Sequence, residues 1–122
     1  MGKRKHFSLV QRFKSFEFAF KGLKIMYRQE HNFRVHVFAA VLVVLFGIFF
    51  DISSLEWILI TIVIGFVLVS EIFNSAVERI ANFVSPEHHE MIGTIKDLCA
   101  SMVLVAAVVS IIVGLIIFIP KF

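Results

Sequence analysis

A single cysteine, Cys99, stands in the 122 residues, which excludes a disulfide within the chain. Its place at the start of an apolar run favours a small packing residue over a reactive thiol. Charge is scarcer still: Leu98 to Ile119, LCASMVLVAAVVSIIVGLIIFI, holds none over 22 residues, above the roughly 18 to 20 needed to cross a bilayer as a helix. The basic N-terminal segment lacks an early apolar core with a small-residue cleavage site, so no cleavable signal peptide is expected and the mature chain is read as starting at Met1.

What remains is apolar. Hydrophobic residues make up 59% of the chain, 15 of them Phe, and the mean hydropathy is +0.92. That is too apolar for a soluble domain of this size. The expectation is one membrane-embedded domain, residues 1–122, all-α, with three transmembrane helices. Two shorter apolar blocks, Val37 to Phe50 and Trp57 to Val69, join the C-terminal one. Their flanks bring them to spanning length if the polar residues face protein or water. The predicted spans are residues 30–50, 55–84 and 94–119.

Cations are unevenly placed. Eight of the twelve Lys and Arg residues precede Glu30, the connection DISSLE (Asp51 to Glu56) has none, and the second connecting region contains Arg79 and Lys96. By the positive-inside rule the N-terminus and the second connection face the cytoplasm, with only Lys121 opposed. Ahead of the first span, Leu9, Phe13, Phe16, Phe20 and Leu23 recur at steps of four, three, four and three. This predicts an amphipathic helix over 8–27 lying in the cytoplasmic interface, its cations towards anionic headgroups, as an anchor or as a lid. Gly22 would loosen it.

The second span carries the residues least suited to a bilayer. At about 100° per residue, positions 71, 74, 75, 78 and 82 fall within about 100° of arc, so Glu71, Asn74, Ser75, Glu78 and Asn82 form one polar stripe. Translocon-type scales place one central charge at roughly 2.5 to 3.5 kcal/mol, which makes two on one face hard to explain as surface. Glu30 and Arg34 begin the first span, and Lys96 and Asp97 begin the third, so all three helices bring charge to one membrane face. Structural alternatives stand beside this: a helix ion pair for Glu30 with Arg34, and an N-cap box for Thr94-x-x-Asp97 after Gly93. The turn NFVSPEHHEMIGT offers Glu87, His88, His89 and Glu90, weak grounds for zinc without a second ligand pair.

Carboxylates can hold Mg²⁺ shared with substrate phosphates, a lysine can neutralise phosphate charge, and a further carboxylate can accept a hydroxyl proton. The set suffices for phosphoryl transfer from Mg-ATP, although no GxxxxGK[ST] loop and no protein-kinase signature is present. A small oligomeric transporter, with Glu71 or Glu78 relaying protons or binding a cation, is the reading from another class.

Glu71-x-x-Asn74-Ser75-Ala76-x-Glu78, then Ser85-Pro86-Glu87-His88-His89 and Lys96-Asp97, resembles the signature of the prokaryotic diacylglycerol kinase family. These are small trimeric integral-membrane kinases. The likeness runs from Lys21-Gly22 through Glu30-His31-Asn32-Phe33-Arg34-Val35-His36 to the end of the chain. Leu55-Glu56-Trp57 and Gly114 to Lys121 resemble the Gram-positive branch, whose members act as undecaprenol kinases.

The resemblance implies roles by position. Glu71 would accept the lipid hydroxyl proton and Asn74 would help place the reacting groups. Glu30 and Glu78 would bind Mg²⁺ with the ATP phosphates, while Phe18, Glu87, His88, His89, Lys96 and Asp97 would contact ATP. Asn32, Phe33, Arg34, Val35, His36 and Ala100 would line the lipid side. It further implies a homotrimer with sites between protomers in a bacterial plasma membrane, and no nucleic-acid partner. The expected reaction converts undecaprenol to undecaprenyl phosphate, with diacylglycerol as the alternative alcohol. Asn82 stands where relatives often carry Asp, and Leu98-Cys99-Ala100-Ser101 where they are richer in Ala and Gly.

Overall fold

The computed structural model describes residues 8–87 and 89–122, so His88 and the basic residues Lys3, Arg4 and Lys5 lie outside the described residues. Four α-helices follow in order: α1 (Leu9–Gln29), α2 (His31–Phe49), α3 (Ser54–Val84) and α4 (Glu90–Phe118), with a short 3₁₀ turn at Ile119–Lys121. The last three are long and apolar enough to cross a membrane. The chain is an all-helical integral-membrane protein.

Local chemistry sets each boundary. Ser8 Oγ accepts from the Gln11 N–H at 3.4 Å and starts α1, which then runs through Gly22 without a break. One residue, Glu30, separates α1 from α2, in extended conformation (φ −111°, ψ 106°). The elbow is held from beneath by Arg34, whose Nη1 donates to the carbonyls of Tyr27 (2.7 Å) and Arg28 (3.0 Å). Those are carbonyls that the end of α1 leaves without helical partners. Arg34 is therefore a cap for α1, not the ion-pair partner of Glu30.

After α2 the chain turns at Asp51, the only described non-glycine residue with positive φ (51°), a region that Asp tolerates better than most residues. A capping box then opens α3: Ser53 Oγ accepts from the Glu56 N–H and Glu56 Oε1 accepts from the Ser53 N–H. With 31 residues, α3 is about 46 Å long at 1.5 Å per residue. It outreaches a hydrocarbon core of about 30 Å, so its polar C-terminal turns extend towards the headgroups. The helix stops at Ser85, whose helical conformation is disfavoured by Pro86.

Helix α4 begins at Glu90, capped by His89, whose Nδ1 accepts from the Met91 N–H at 3.2 Å. This overturns the Thr94-x-x-Asp97 cap. Thr94 lies one turn inside the helix and donates its hydroxyl to the Glu90 carbonyl at 3.2 Å.

The most extensive contact joins α3 to α4, with α2 packed more lightly on α3 and α1 reaching α2 near the elbow. The best-packed core sits at the end of the bundle away from that elbow. Ile52, Ile60 and Ile117 are buried there among Val43, Phe50, Trp57, Ile64, Val113 and Phe118. Gly47 lets α2 approach closely, since a Cβ at this position would lie 2.7 Å from the Trp57 ring.

Candidate active site

The opposite end of the bundle is built around α3. Its stripe does not stay uniformly polar and solvated: Glu71 and Ser75 are buried, at 5% and 4% exposure, and Ser70 at 3%. Ser70 satisfies its hydroxyl within the helix, on the Val67 carbonyl at 2.8 Å. Glu71 reaches across to α2, where His36 Nε2 lies 3.1 Å from its Oε1. Three residues on, Asn74 Oδ1 is buried with no hydrogen-bond partner. A buried acceptor left open costs on the order of 1–3 kcal/mol.

Glu30, at the elbow, turns towards α3. Its Oε2 accepts from Ser75 Oγ at 3.0 Å and from Arg79 Nη2 at 3.1 Å. The same Arg79 Nη2 donates to Gln29 Oε1 at 3.0 Å, and its Nε to Ser75 Oγ at 3.2 Å. Arg79 thus ties both residues at the α1–α2 junction to α3. Glu78 is half-buried on the same helix face, and together with Glu30 its charge acts on Glu71.

A second polar contact lies between α3 and α4, where Lys96 Nζ donates to Asn82 Oδ1 at 2.7 Å. Asp97 and Ala100 are exposed on α4, and Glu87 and His89 are exposed in the turn before it. Phe18 is 63% exposed on α1, with Lys21 Nζ 5.6 Å from its ring centre. Of the segment starting α2, Asn32 and Val35 are exposed, Phe33 is buried at 5%, and Arg34 is occupied with α1. Within one protomer the structure therefore gathers Glu30, His36, Glu71, Asn74 and Glu78 around α2 and α3. It leaves the turn and α4 residues as a separate group joined through Lys96.

Arg79, Gln29 and the hydroxyl of Ser75 escaped notice as a linked set. The available signal was the four-residue interval from Ser75 to Arg79, which stacks them on one helix face. Nothing in the sequence, however, brings Gln29 and Glu30 to that face.

The donors suit a divalent cation of the Mg²⁺ type. Among the described residues no three His, Cys, Asp or Glu side chains form a ready metal cluster. Mg²⁺ shared with phosphates needs only one or two carboxylates; Glu78 and the open Asn74 oxygen on α3 are hard oxygen donors, as is Glu30, whose Oε2 already accepts from Ser75 and Arg79.

A cavity of about 330 Å³ adjoins this group, lined by His36 and otherwise by residues such as Ala39, Val43, Val67 and Gly114 from α2, α3 and α4. Ionisable side chains beside an apolar recess, among three helices long and apolar enough to span a bilayer, are the features of a membrane protein. The sequence pattern of the family described as prokaryotic diacylglycerol kinase matches residues 17–118, and the chain belongs to that family. Along 122 residues, 99% of both chains, it is 37% identical to the undecaprenol kinase of Bacillus subtilis. It is 30% identical to the diacylglycerol kinase of Escherichia coli K12 over 95 residues, 78% of each chain. To the diacylglycerol kinase of Haemophilus influenzae it is 31% identical over 105 residues, 85% of this chain and 89% of the relative. The protein is a membrane lipid kinase, and the transporter reading is set aside.

Proposed function

We propose that this kinase transfers the γ-phosphoryl group of ATP to undecaprenol, with Glu71 as the general base. The observation that carries the chemistry is a carboxylate buried inside the bundle, beside an apolar recess fit for a hydrocarbon chain. The choice of alcohol is supported by the likeness to an undecaprenol kinase along nearly the whole of both chains. Diacylglycerol, the substrate class in the names of the other relatives, is the second reading.

In this mechanism a Glu71 oxygen accepts the proton of the lipid hydroxyl. The alcohol oxygen forms a bond to the γ-phosphorus as the bond from that phosphorus to the bridging oxygen breaks, and ADP leaves with the electron pair. Asn74, one turn along the same face, orients the reacting groups through its open carbonyl oxygen. Glu30 and Glu78 would hold Mg²⁺, which supplies neutralisation of the phosphate oxygens when bound. Lys96 adds a cation for the phosphates, while Glu87, His88, His89 and Asp97 contact the nucleotide and Phe18 approaches it from α1. Asn32 to His36 and Ala100 flank the lipid.

Membership of the prokaryotic diacylglycerol kinase family, which the sequence resemblance describes as trimeric, supports a homotrimer whose sites lie between neighbours. Loop charge supports an orientation with the N-terminus and the site at the cytoplasmic face of a bacterial plasma membrane. The row Leu9, Phe13, Phe16 and Phe20, each more than 60% exposed, supports α1 lying in the interface with these side chains in lipid.

The test is direct. Purified protein is given γ-labelled ATP, Mg²⁺ and either undecaprenol or diacylglycerol in mixed micelles. Faster labelling of undecaprenol is expected; faster labelling of diacylglycerol would reverse the substrate assignment, and no labelled lipid from either would reject the reading.

A further inference from the structure

Glu71 is the most enclosed ionisable side chain at its end of the bundle, 6% exposed, and the contact that reaches it comes from a different helix. The other ionisable side chains that bear on it are Glu30 and Glu78, two carboxylates. His36 differs in kind. Its Nε2 stands 3.1 Å from Glu71 Oε1, its side chain is 26% exposed, and with Ser110 it supplies the polar side chains in the wall of a largely apolar cavity.

A free carboxylate can rotate and present either oxygen. An imidazole N–H on one oxygen fixes that rotation and leaves the other as the acceptor. Holding a base within a fraction of an ångström of the proton it takes is worth a large factor in rate, because a misplacement of 1 Å can cost about 10²-fold.

We propose that His36 is the positioning residue of the catalytic base: its Nε2–H holds Glu71 Oε1, so that Oε2 receives the hydroxyl proton of an alcohol arriving along the apolar cavity. The donor sits on α2 and the base on α3, so the pair also reports whether the two helices are correctly docked. The inference rests on Glu71 being the base, as proposed above.

The experiment uses full-length protein in micelles with three substitutions. His36→Ala should lower kcat by roughly 10²-fold and leave the KM for ATP and the thermal midpoint unchanged. His36→Gln, whose amide N–H can reach the same oxygen, should recover most of that loss, and His36→Leu, which fills space without donating, should not. On a Glu71→Gln background His36→Ala should add no further loss, because the two side chains act as one unit. Wild-type kcat in His36→Ala, or equal rates for His36→Leu and His36→Gln, overturns the proposal while leaving the base assignment standing. Full turnover by Glu71→Gln with histidine intact overturns both.

Discussion

The two ends of this bundle solve opposite problems with the same three helices. At the end away from the elbow, Ile52, Ile60 and Ile117 close a dry core, Gly47 admits the Trp57 ring, and Lys121 Nζ pairs with Glu56 Oε2 at 3.1 Å across the rim. At the elbow end a carboxylate is buried, an amide oxygen has no partner, and a cavity opens between α1 and α3; a further cavity runs from His36 towards the core residues Val43, Ile60 and Ile64. The first end carries the tighter packing, while the second holds the buried and unpartnered polar groups on which the proposed site rests. In a bilayer, where lipid tails are as apolar as the helices, tight packing of the first kind is the main source of helix association. Polar groups of the second kind are costly and point to function.

Substitutions at each end should separate these roles. The largest effect is expected for Glu78→Gln, which should raise the Mg²⁺ needed for half-maximal activity by on the order of 100-fold without lowering the thermal midpoint. A magnesium titration of initial rates checks it, and an unchanged curve would remove Glu78 from the metal site. Next is Gly47→Ala, whose added Cβ would meet the Trp57 ring at 2.7 Å. Overpacking of this kind costs about 1–3 kcal/mol, so thermal unfolding in detergent should shift down while kcat per folded protein stays at the wild-type value.

Arg79→Ala frees the elbow from α3. Its pair with Glu30 is partly exposed, 49% and 31%, so a stability loss of roughly 0.2–1 kcal/mol is expected. The KM for ATP should rise because Glu30 loses its anchor, and a nucleotide titration measures this. The smallest effect belongs to Glu56→Gln, which weakens the rim pair with Lys121 but keeps a side chain able to serve the capping box; unfolding should shift by less than about 1 kcal/mol, with activity unchanged. A fall in activity there would blur the division between the ends.

The sequence made some of this legible and hid the rest for physical reasons. An uncharged run such as Leu98 to Ile119 has few options other than a spanning helix. The stripe from Glu71 to Asn82 follows from helical periodicity alone. Pairing across helices has no such local rule. Arg79 was visible only as a charge favouring one membrane side, yet together with Ser75 it fastens Glu30 to α3. Arg34 looked like a partner for Glu30 at helical spacing, but the elbow places its guanidinium under the open carbonyls of α1. The start of α4 moved from Thr94 to Glu90 because His89 can cap through its ring nitrogen, a use of histidine that cap preferences for Ser, Thr, Asp and Asn do not anticipate. Asn82, in the sequence the last member of the stripe and a departure from the Asp of many relatives, accepts from Lys96 and joins α3 to α4.

The central claim is that Glu71 is buried to take a proton and not to hold the fold. It is tested most directly by Glu71→Gln, with ATP binding, thermal unfolding and labelled-phosphate transfer to undecaprenol measured on the same preparation. The expected result is bound nucleotide, an unfolding midpoint at or above that of the wild type, and lipid labelling reduced by at least 10²-fold, the contribution typical of a general base. Lipid labelling at the wild-type rate would contradict the account, as would loss of activity that merely follows loss of the folded protein.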